Sequence, residues 1–432
     1  MKNHLIVIAG PTASGKTRFA IRLAQHYDTA ILSADSRQFF KETSIGTAKP
    51  NEEELAAARH FFIGNLGVKE HYSVGMFEKE ALDLVQELYM AKDKLILVGG
   101  SGLYIKAVSE GLDEFPDMPL DVREEVEAKL KKEGIEALQE ELKKLDPVYY
   151  EEVDLSNPAR LVRAIAVSRA SGQPFSSFRV KTPVVRDFEP IYIQLQLPRE
   201  ELYRRVNARV DAMVAGGLVE EARSLYELRE FNALQTVGYQ ELFDHFDGNC
   251  TLEEAIQNIK QNSRRFAKRQ LSWFRRDPYW KWFDPDETDL AQEYIDQCAA
   301  LGIRFSKALD EGSQQKALEF IESRIGSVER DPRGEIWTVL QGDEVVAAAQ
   351  WGQRRDKAAM QDFYLLSHFV NTLSEAGFWI AHQAVMQAEG MPIQAHCRPG
   401  QGKFFTRLDF DMMPYGTTIA NLDKPMILIR NV

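Results

Sequence analysis

Three groups of residues in this 432-residue chain combine side-chain type and spacing in ways that suit chemistry. The first is Gly10-Pro11-Thr12-Ala13-Ser14-Gly15-Lys16-Thr17, which matches G-x-x-x-x-G-K-[ST]. Glycines let successive backbone N–H groups turn toward one anion, and a following helix adds its dipole. Lys16 would reach phosphate oxygens, and the Thr17 hydroxyl would hold Mg2+. Such a loop binds a pyrophosphate-like group without saying which molecule carries it. The second group comprises Asp35, just past an apolar run, and Gly99-Gly100-Ser101-Gly102-Leu103-Tyr104. A carboxylate at Asp35 could take a proton from a nucleophile or order magnesium-bound water, where the plainer reading is a capped turn. The glycine-rich stretch is either a tight turn or a close backbone approach to a ligand that presents Ser101. The third group runs from Ser263 to Arg276. Arg264/Lys268 and Arg265/Arg269 each sit four apart, which on a helix builds a cationic face interleaved with Phe266, Trp273 and Phe274. A solvated basic helix is the plainer reading. A phosphodiester contact is the functional one, and the aromatics suit RNA better than duplex DNA.

The elements that must carry these groups follow from periodicity. His4–Ile8 reads as a buried strand and Arg18–His26 as a helix, so the first group sits at a strand–loop–helix turn. Ala30–Ala34 and Lys94–Val98 are further strands, and Tyr72–Met90 is an amphipathic helix. This alternation predicts a P-loop NTPase-like α/β core with a parallel sheet, whose ligands lie beyond the carboxyl ends of the strands. The P-loop, Asp35 and Gly99–Ser101 should therefore converge on one cleft. From Asp117 to about Gln173 the chain is charged and helical, as an insertion would be. Strand character returns at Ile191–Leu197, followed by helices to about Phe274 with breaks near Asn232–Gly238 and Gly248. Asp284–Glu287 and Gly302 mark a boundary. The expected division is a core of residues 1–115 and 185–300, a helical insertion of residues 116–184, and a C-terminal α+β domain of residues 304–432.

Bulk properties narrow the setting. Net charge is −12, which discourages nucleic-acid binding unless a local basic face exists, as the third group supplies. Cys250, Cys298 and Cys397 are dispersed without a C-x-x-C pair, which suits a reducing cytoplasm. The first strand begins within a few residues of Met1, so no leader is expected. No apolar segment approaches the ~20 residues of a membrane span. His368, His382 and His396 have no metal-ligand spacing and read as structural.

Seven segments taken together resemble the tRNA dimethylallyltransferases. They are the P-loop, Asp35-Ser36-Arg37-Gln38, Ile45-Gly46-Thr47-Ala48-Lys49-Pro50, Gly99–Tyr104, Arg160-Leu161-Val162-Arg163-Ala164, Val237-Gly238-Tyr239-Gln240-Glu241 and Ala267–Arg275. They occur in the family's order across about residues 4–283. The resemblance implies transfer of a dimethylallyl group from its diphosphate to N6 of the adenosine 3′-adjacent to the anticodon. It implies Asp35 as general base, with Lys16, Thr17-bound Mg2+ and Arg209 assisting departure of diphosphate held by Gly10 to Thr17. It also implies tRNA contacts at Asp35, Ser36, Arg37, Gln38, Ser101, Arg123, Asn157, Arg160 and Arg163, to which the basic face adds Arg264, Arg265, Lys268 and Arg269. A cytoplasmic monomer acting on the anticodon stem-loop is expected. Phe39-Phe40 departs from the family's usual aliphatic–Tyr pair, and Ser101 replaces the commoner Thr. Rival readings are a P-loop kinase of small molecules, a prenyltransferase of free adenine nucleotides and a non-catalytic RNA-binding protein. The tail loosely resembles the acetyltransferase superfamily but lacks its R-x-x-G-x-G/A loop, since Ser374–Trp379 keeps one glycine. A packing or binding module, dispensable for the chemistry, is expected there.

Overall fold

A computed structural model describes residues 2–113, 115–116, 119–179, 184–326, 328, 334–356, 361–388, 393–397, 402–408, 411–414 and 426–431. The chain forms two compact units, Met1–Ser109 with Asp187–Val432, and Glu110–Arg186.

The first unit is built on a parallel sheet. Its strands are β1 (Asn3–Ala9), β2 (Ile31–Ser33), β3 (His60–Phe61), β4 (Lys94–Gly99), β5 (Phe188–Leu195) and β6 (Lys281–Phe283), in the order β3-β2-β4-β1-β5-β6. Leu5 to Ala9 of the central strand are fully buried, as expected for a strand covered on both faces. Alternation then splits the core. Ile6 and Ile8 face one apolar cluster with Phe19 and Leu23 of the helix Lys16–His26, whereas Leu5, Val7 and Ala9 face another. Two details differ from the sequence reading. β5 starts at Phe188 rather than Ile191, because Phe188, Glu189 and Pro190 lie in register beside Asn3, His4 and Leu5. β6, too short to carry a periodic signal, closes the sheet beside β5.

A second sheet in the same unit contains β7 (Ile303–Lys307), β8 (Glu335–Gln341), β9 (Glu344–Asp356), β10 (Gln361–Asn371), β11 (Ile393–Cys397), β12 (Asp411–Pro414) and β13 (Met426–Asn431). Its order is β12-β13-β11-β10-β9-β8-β7. β7 to β10 are antiparallel neighbours, and β10–β11, β11–β13 and β13–β12 are parallel. The helix Ser374–Ala388 connects β10 to β11, the crossover a parallel pair requires. Aromatic rings stack across the strands: Trp337 on Trp351 at 5.0 Å between centroids, and Trp351 on Tyr364 at 4.7 Å.

The two sheets share one hydrophobic cluster, which contains Phe19 and Leu23 together with Phe283, Tyr294, Ile295, Trp337 and Trp379. The segment Asp284–Gly302, read as a boundary, holds the helix Thr288–Leu301 that supplies Tyr294 and Ile295 to that cluster. A polar knot crosses the same junction. The fully buried Lys281 Nζ contacts His382 Nδ1 and donates to Gln383 Oε1 at 3.2 Å, and His382 Nε2 lies 3.2 Å from the Glu287 carboxylate. Burial pushes Lys281 well below an ordinary lysine. Burial and the neighbouring lysine push His382 down to about 4. His382 is thus a core histidine; the side chains of His368 and His396 lie outside the described residues.

The second unit, taken by itself, is helical: Leu120–Glu133, Ile135–Leu145, Pro147–Glu152, Pro158–Ser171 and a 3-10 turn at Phe175–Phe178. The first two helices divide one long charged stretch at Gly134, whose φ of 84° breaks the run. Val126, Leu138, Leu142, Leu161 and Ile165 form its core. Its buried Asp146 accepts hydrogen bonds from Tyr149 N at 2.9 Å, Ser176 N at 2.6 Å and Ser176 Oγ at 2.8 Å.

Candidate active site

β1 ends in the phosphate-binding loop. Gly15 has φ 90° and opens the helix Lys16–His26, a conformation that a side chain would strain. The Ser14 hydroxyl is buried here and has no hydrogen-bond partner. Lys16 Nζ donates to Pro11 O at 2.7 Å, so the ammonium folds over its own loop. A cavity of about 550 Å3 opens in front, lined by Thr12, Ala13, Gly15, Lys16, Thr17, Asp35, Arg37, Gln38 and Arg209. Gly10, Pro11, Ser14, Ser36 and Ser101 are not among its lining residues. The electrostatics tie the wall together. Burial lowers Lys16 to about 8 and also lowers Arg209; the Asp35 charge opposes both shifts, and Arg209 lowers Lys16 further.

Local bonds fix Asp35 and its neighbours. The Asp35 carboxylate accepts from Arg37 N at 3.1 Å. Ser36 N donates to Ser101 Oγ at 3.1 Å, which pins the turn after β2 to the turn after β4. Arg37 donates to the carbonyls of Asn232 at 2.8 Å and Gln235 at 3.3 Å. Gln38 Nε2 reaches the carbonyls of Thr47 and Ala48 at 3.2 and 3.0 Å. The Asp35–Gln38 segment is thus both cavity wall and the fastening for Ile45–Pro50.

Two organising residues were not given roles by the sequence. Gln270, on the helix Leu252–Phe274, accepts from Thr12 N at 2.8 Å and donates to Gly100 O at 3.0 Å, joining the P-loop to the β4 turn. A Cβ on Gly100 would lie 2.2 Å from Gln270 Nε2, and one on Gly102 2.1 Å from Trp273 Nε1, so both glycines are required by packing. Glu221 accepts from the backbone N–H groups of Ser44, Ile45 and Gly46 at 2.8–3.1 Å and from Tyr239 Oη at 2.6 Å. Gln270 falls inside the quoted Ala267–Arg275 segment, which was its available signal. Glu221 follows another glutamate on a helix and carries none.

The basic face is real but partly engaged. Ser263, Phe266 and Gln270 of its helix line the cavity. Arg264 donates to Asn207 Oδ1 at 2.6 Å and Arg265 to Asn262 Oδ1 at 3.2 Å, while Arg269 lies 5.8 Å over the Phe266 ring. Arg265, Lys268 and Arg269 are exposed. Arg123, Asn157, Arg160 and Arg163 belong to the second unit. There Arg123 Nε donates to Glu127 at 2.8 Å, Asn157 caps a helix by accepting from Arg160 N at 3.2 Å, and Arg163 lies 5.1 Å over Phe115. Among the described residues no cluster of three His, Cys, Asp or Glu could hold a metal.

Residues 38–277 match the family model described as IPP transferase. The chain belongs to that family. It is 53% identical over 287 residues to a tRNA dimethylallyltransferase of Christiangramia forsetii, covering 66% of this chain and 95% of the relative. It is 52% identical to the Flavobacterium johnsoniae protein of the same name, covering 65% and 93%. Among solved structures, the tRNA isopentenylpyrophosphate transferase of Bacillus halodurans aligns with TM-score 0.51 and 36% identity over 68% of this chain and 96% of that one. A eukaryotic dimethylallyltransferase acting on tRNA shares the fold, with TM-score 0.56 at 22% identity, covering 76% of this chain and 81% of that one. The IPP transferase match ends at residue 277, so the second sheet lies beyond it.

Proposed function

We propose that the protein transfers a dimethylallyl group from dimethylallyl diphosphate to N6 of the adenosine 3′-adjacent to the anticodon of a tRNA. The observation that carries this reading is the single cavity lined by the P-loop, Lys16, Thr17, Arg209 and the Asp35 carboxylate. Relatives about half identical carry the name tRNA dimethylallyltransferase. In the reaction the N6 lone pair attacks the donor's first carbon, the carbon–oxygen bond breaks, and diphosphate leaves. Asp35 takes the N6 proton as the new bond forms, which makes a weak amine nucleophile competent. The Thr12–Thr17 backbone, Lys16 and Arg209 stabilise charge as it accumulates on the leaving diphosphate. The Thr17 hydroxyl lines the cavity and is the hard oxygen that would hold Mg2+, with phosphate and water supplying its remaining ligands. When bound there, Mg2+ would neutralise diphosphate oxygens. The Asp35–Gln38 segment, Ser101, the second unit's Arg123, Asn157, Arg160 and Arg163, and the exposed Arg265, Lys268 and Arg269 are assigned to the anticodon stem-loop. Among the described residues no helix is long and apolar enough to cross a membrane. The reading takes a cytoplasmic monomer.

Incubation with labelled dimethylallyl diphosphate and unmodified tRNA tests this. Label should enter RNA, fail to enter AMP, and fall by at least ~100-fold with Asp35→Ala, the scale of a lost general base. Transfer to AMP at the same rate, or phosphoryl transfer from ATP to a small molecule, would replace this reading by one of its rivals.

A further inference from the structure

A second cavity, of about 420 Å3, lies where the end of the basic helix meets the second sheet; Phe274, Arg275 and Asp277 of its wall fall inside the IPP transferase match and the rest of the wall lies beyond it. Its wall is aromatic and drawn from both sheets: Trp280 and Trp282 around β6, Trp337 on β8 and Tyr364 on β10. Trp337 and Tyr364 are held flat by the intervening Trp351, stacked on both. Trp282 is half-buried, and the Arg275 guanidinium lies 5.6 Å above its ring. The polar groups on the wall are fixed in advance. Gln383 Oε1 is committed to Lys281 Nζ and Trp282 N, which directs the amide nitrogen elsewhere. Glu335 holds both Lys307 and Trp337 Nε1. Trp280 is 4% exposed and its Nε1 has no acceptor.

From these observations we infer that this cavity receives an unpaired nucleobase of the RNA substrate, so that the second sheet extends the RNA-binding surface beyond the catalytic cleft. The inference rests on the tRNA reading above. A flat aromatic wall and a rigid amide fit a planar heterocycle, which stacks by its face and hydrogen-bonds by its edge. Of the two cations on the wall, Lys307 is engaged with Glu335, and Arg275 is exposed immediately after the helix that also exposes Arg265, Lys268 and Arg269. Phe266 lines the first cavity and Phe274 this one. Eight residues of helix separate them, about 12 Å, which lets one folded RNA loop reach both.

The test uses the full chain, tRNA, and the Trp282→Ala, Trp282→Phe and Tyr364→Ala variants. Trp282→Ala and Tyr364→Ala should each weaken tRNA binding roughly 5- to 100-fold, the range of one lost base stack, with kcat at saturating tRNA unchanged. The salt dependence of binding should keep its slope, because no phosphate contact is removed. Trp282→Phe should restore most of the affinity, which a merely structural defect would not predict. Unchanged tRNA affinity in both alanine variants with unchanged melting temperatures would overturn the proposal. So would protection of the cavity tryptophans from quenching by free AMP but not by tRNA, which would assign the site to a free nucleotide. Wild-type protein that prenylates AMP and ignores tRNA would overturn the functional reading and this inference with it, a result distinct from wild-type turnover on tRNA with indifferent variants.

Discussion

Lys16 offers a quantitative check on the electrostatics of the catalytic cavity. Its amine is held near 8 rather than 10.5, chiefly by burial, with Arg209 adding to the shift and Asp35 opposing it. That displacement corresponds to roughly 3 kcal/mol favouring the neutral amine. A bound diphosphate reverses the balance, because it favours the charged form. Binding must therefore take up a proton in the fraction of molecules whose Lys16 is neutral. That fraction is ~0.1 at pH 7, ~0.5 at pH 8 and ~0.9 at pH 9. Isothermal titration of a non-reactive analogue of dimethylallyl diphosphate, repeated in buffers of different ionisation enthalpy, reads this number directly. The affinity itself should fall about tenfold per pH unit above ~8 and level off below. Lys16→Arg keeps a cation that does not titrate, so its uptake near pH 8 should vanish. In Asp35→Asn the charge that supports the ammonium is gone, so uptake should already be larger at pH 7. Uptake below ~0.1 at pH 8, or equal uptake in Lys16→Arg, would refute the assignment of Lys16 as a partly neutral group awaiting an anion.

Two other predictions follow from buried polar groups. Gln270→Leu keeps the volume but leaves Thr12 N–H and Gly100 C=O unpaired, so it should cost about 1–3 kcal/mol in chemical denaturation and raise the KM for the diphosphate donor. Unchanged stability and KM would mean that water substitutes freely for the amide. The second concerns acid. His382 binds its proton at about 4 in the fold and near 6.5 when unfolded, so the unfolded chain holds more protons between those values. The His382 contribution to stability should be fully present above pH ~6.5 and fall by on the order of 3 kcal/mol as pH drops to ~4, and His382→Gln should flatten that limb of the profile.

The P-loop half of this molecule is legible in the sequence because that half is written in short-range patterns. A P-loop is eight consecutive residues between a strand and a helix, and Asp35 directly follows the apolar run of the next strand in the chain. Long-range fastenings have no such signature. Glu221 is drawn to Ser44–Gly46 from about 175 residues away, and nothing local distinguishes it from Glu220. β6, three residues long, shows no alternation to read, yet it completes the P-loop sheet and carries Lys281 into the junction.

The expectation that the tail is dispensable for the chemistry meets another long-range feature, the packing shared by the two sheets. Asp284–Glu287 and Gly302 read as a boundary, but the helix between them buries Tyr294 and Ile295 in one cluster with Phe19 of the P-loop helix and Trp379 of the tail. Ending the chain after Gly302 would strip Trp337, Phe378 and Trp379 from that cluster and leave Lys281 without His382 and Gln383. Exposing even one large aromatic costs about 2–3 kcal/mol, and an orphaned buried amine adds to it. Against a typical total of about 5–15 kcal/mol, such a truncation should unfold or aggregate rather than turn over as a minimal enzyme. A soluble truncated chain with wild-type turnover and melting temperature would show that the shared cluster does not couple the two sheets.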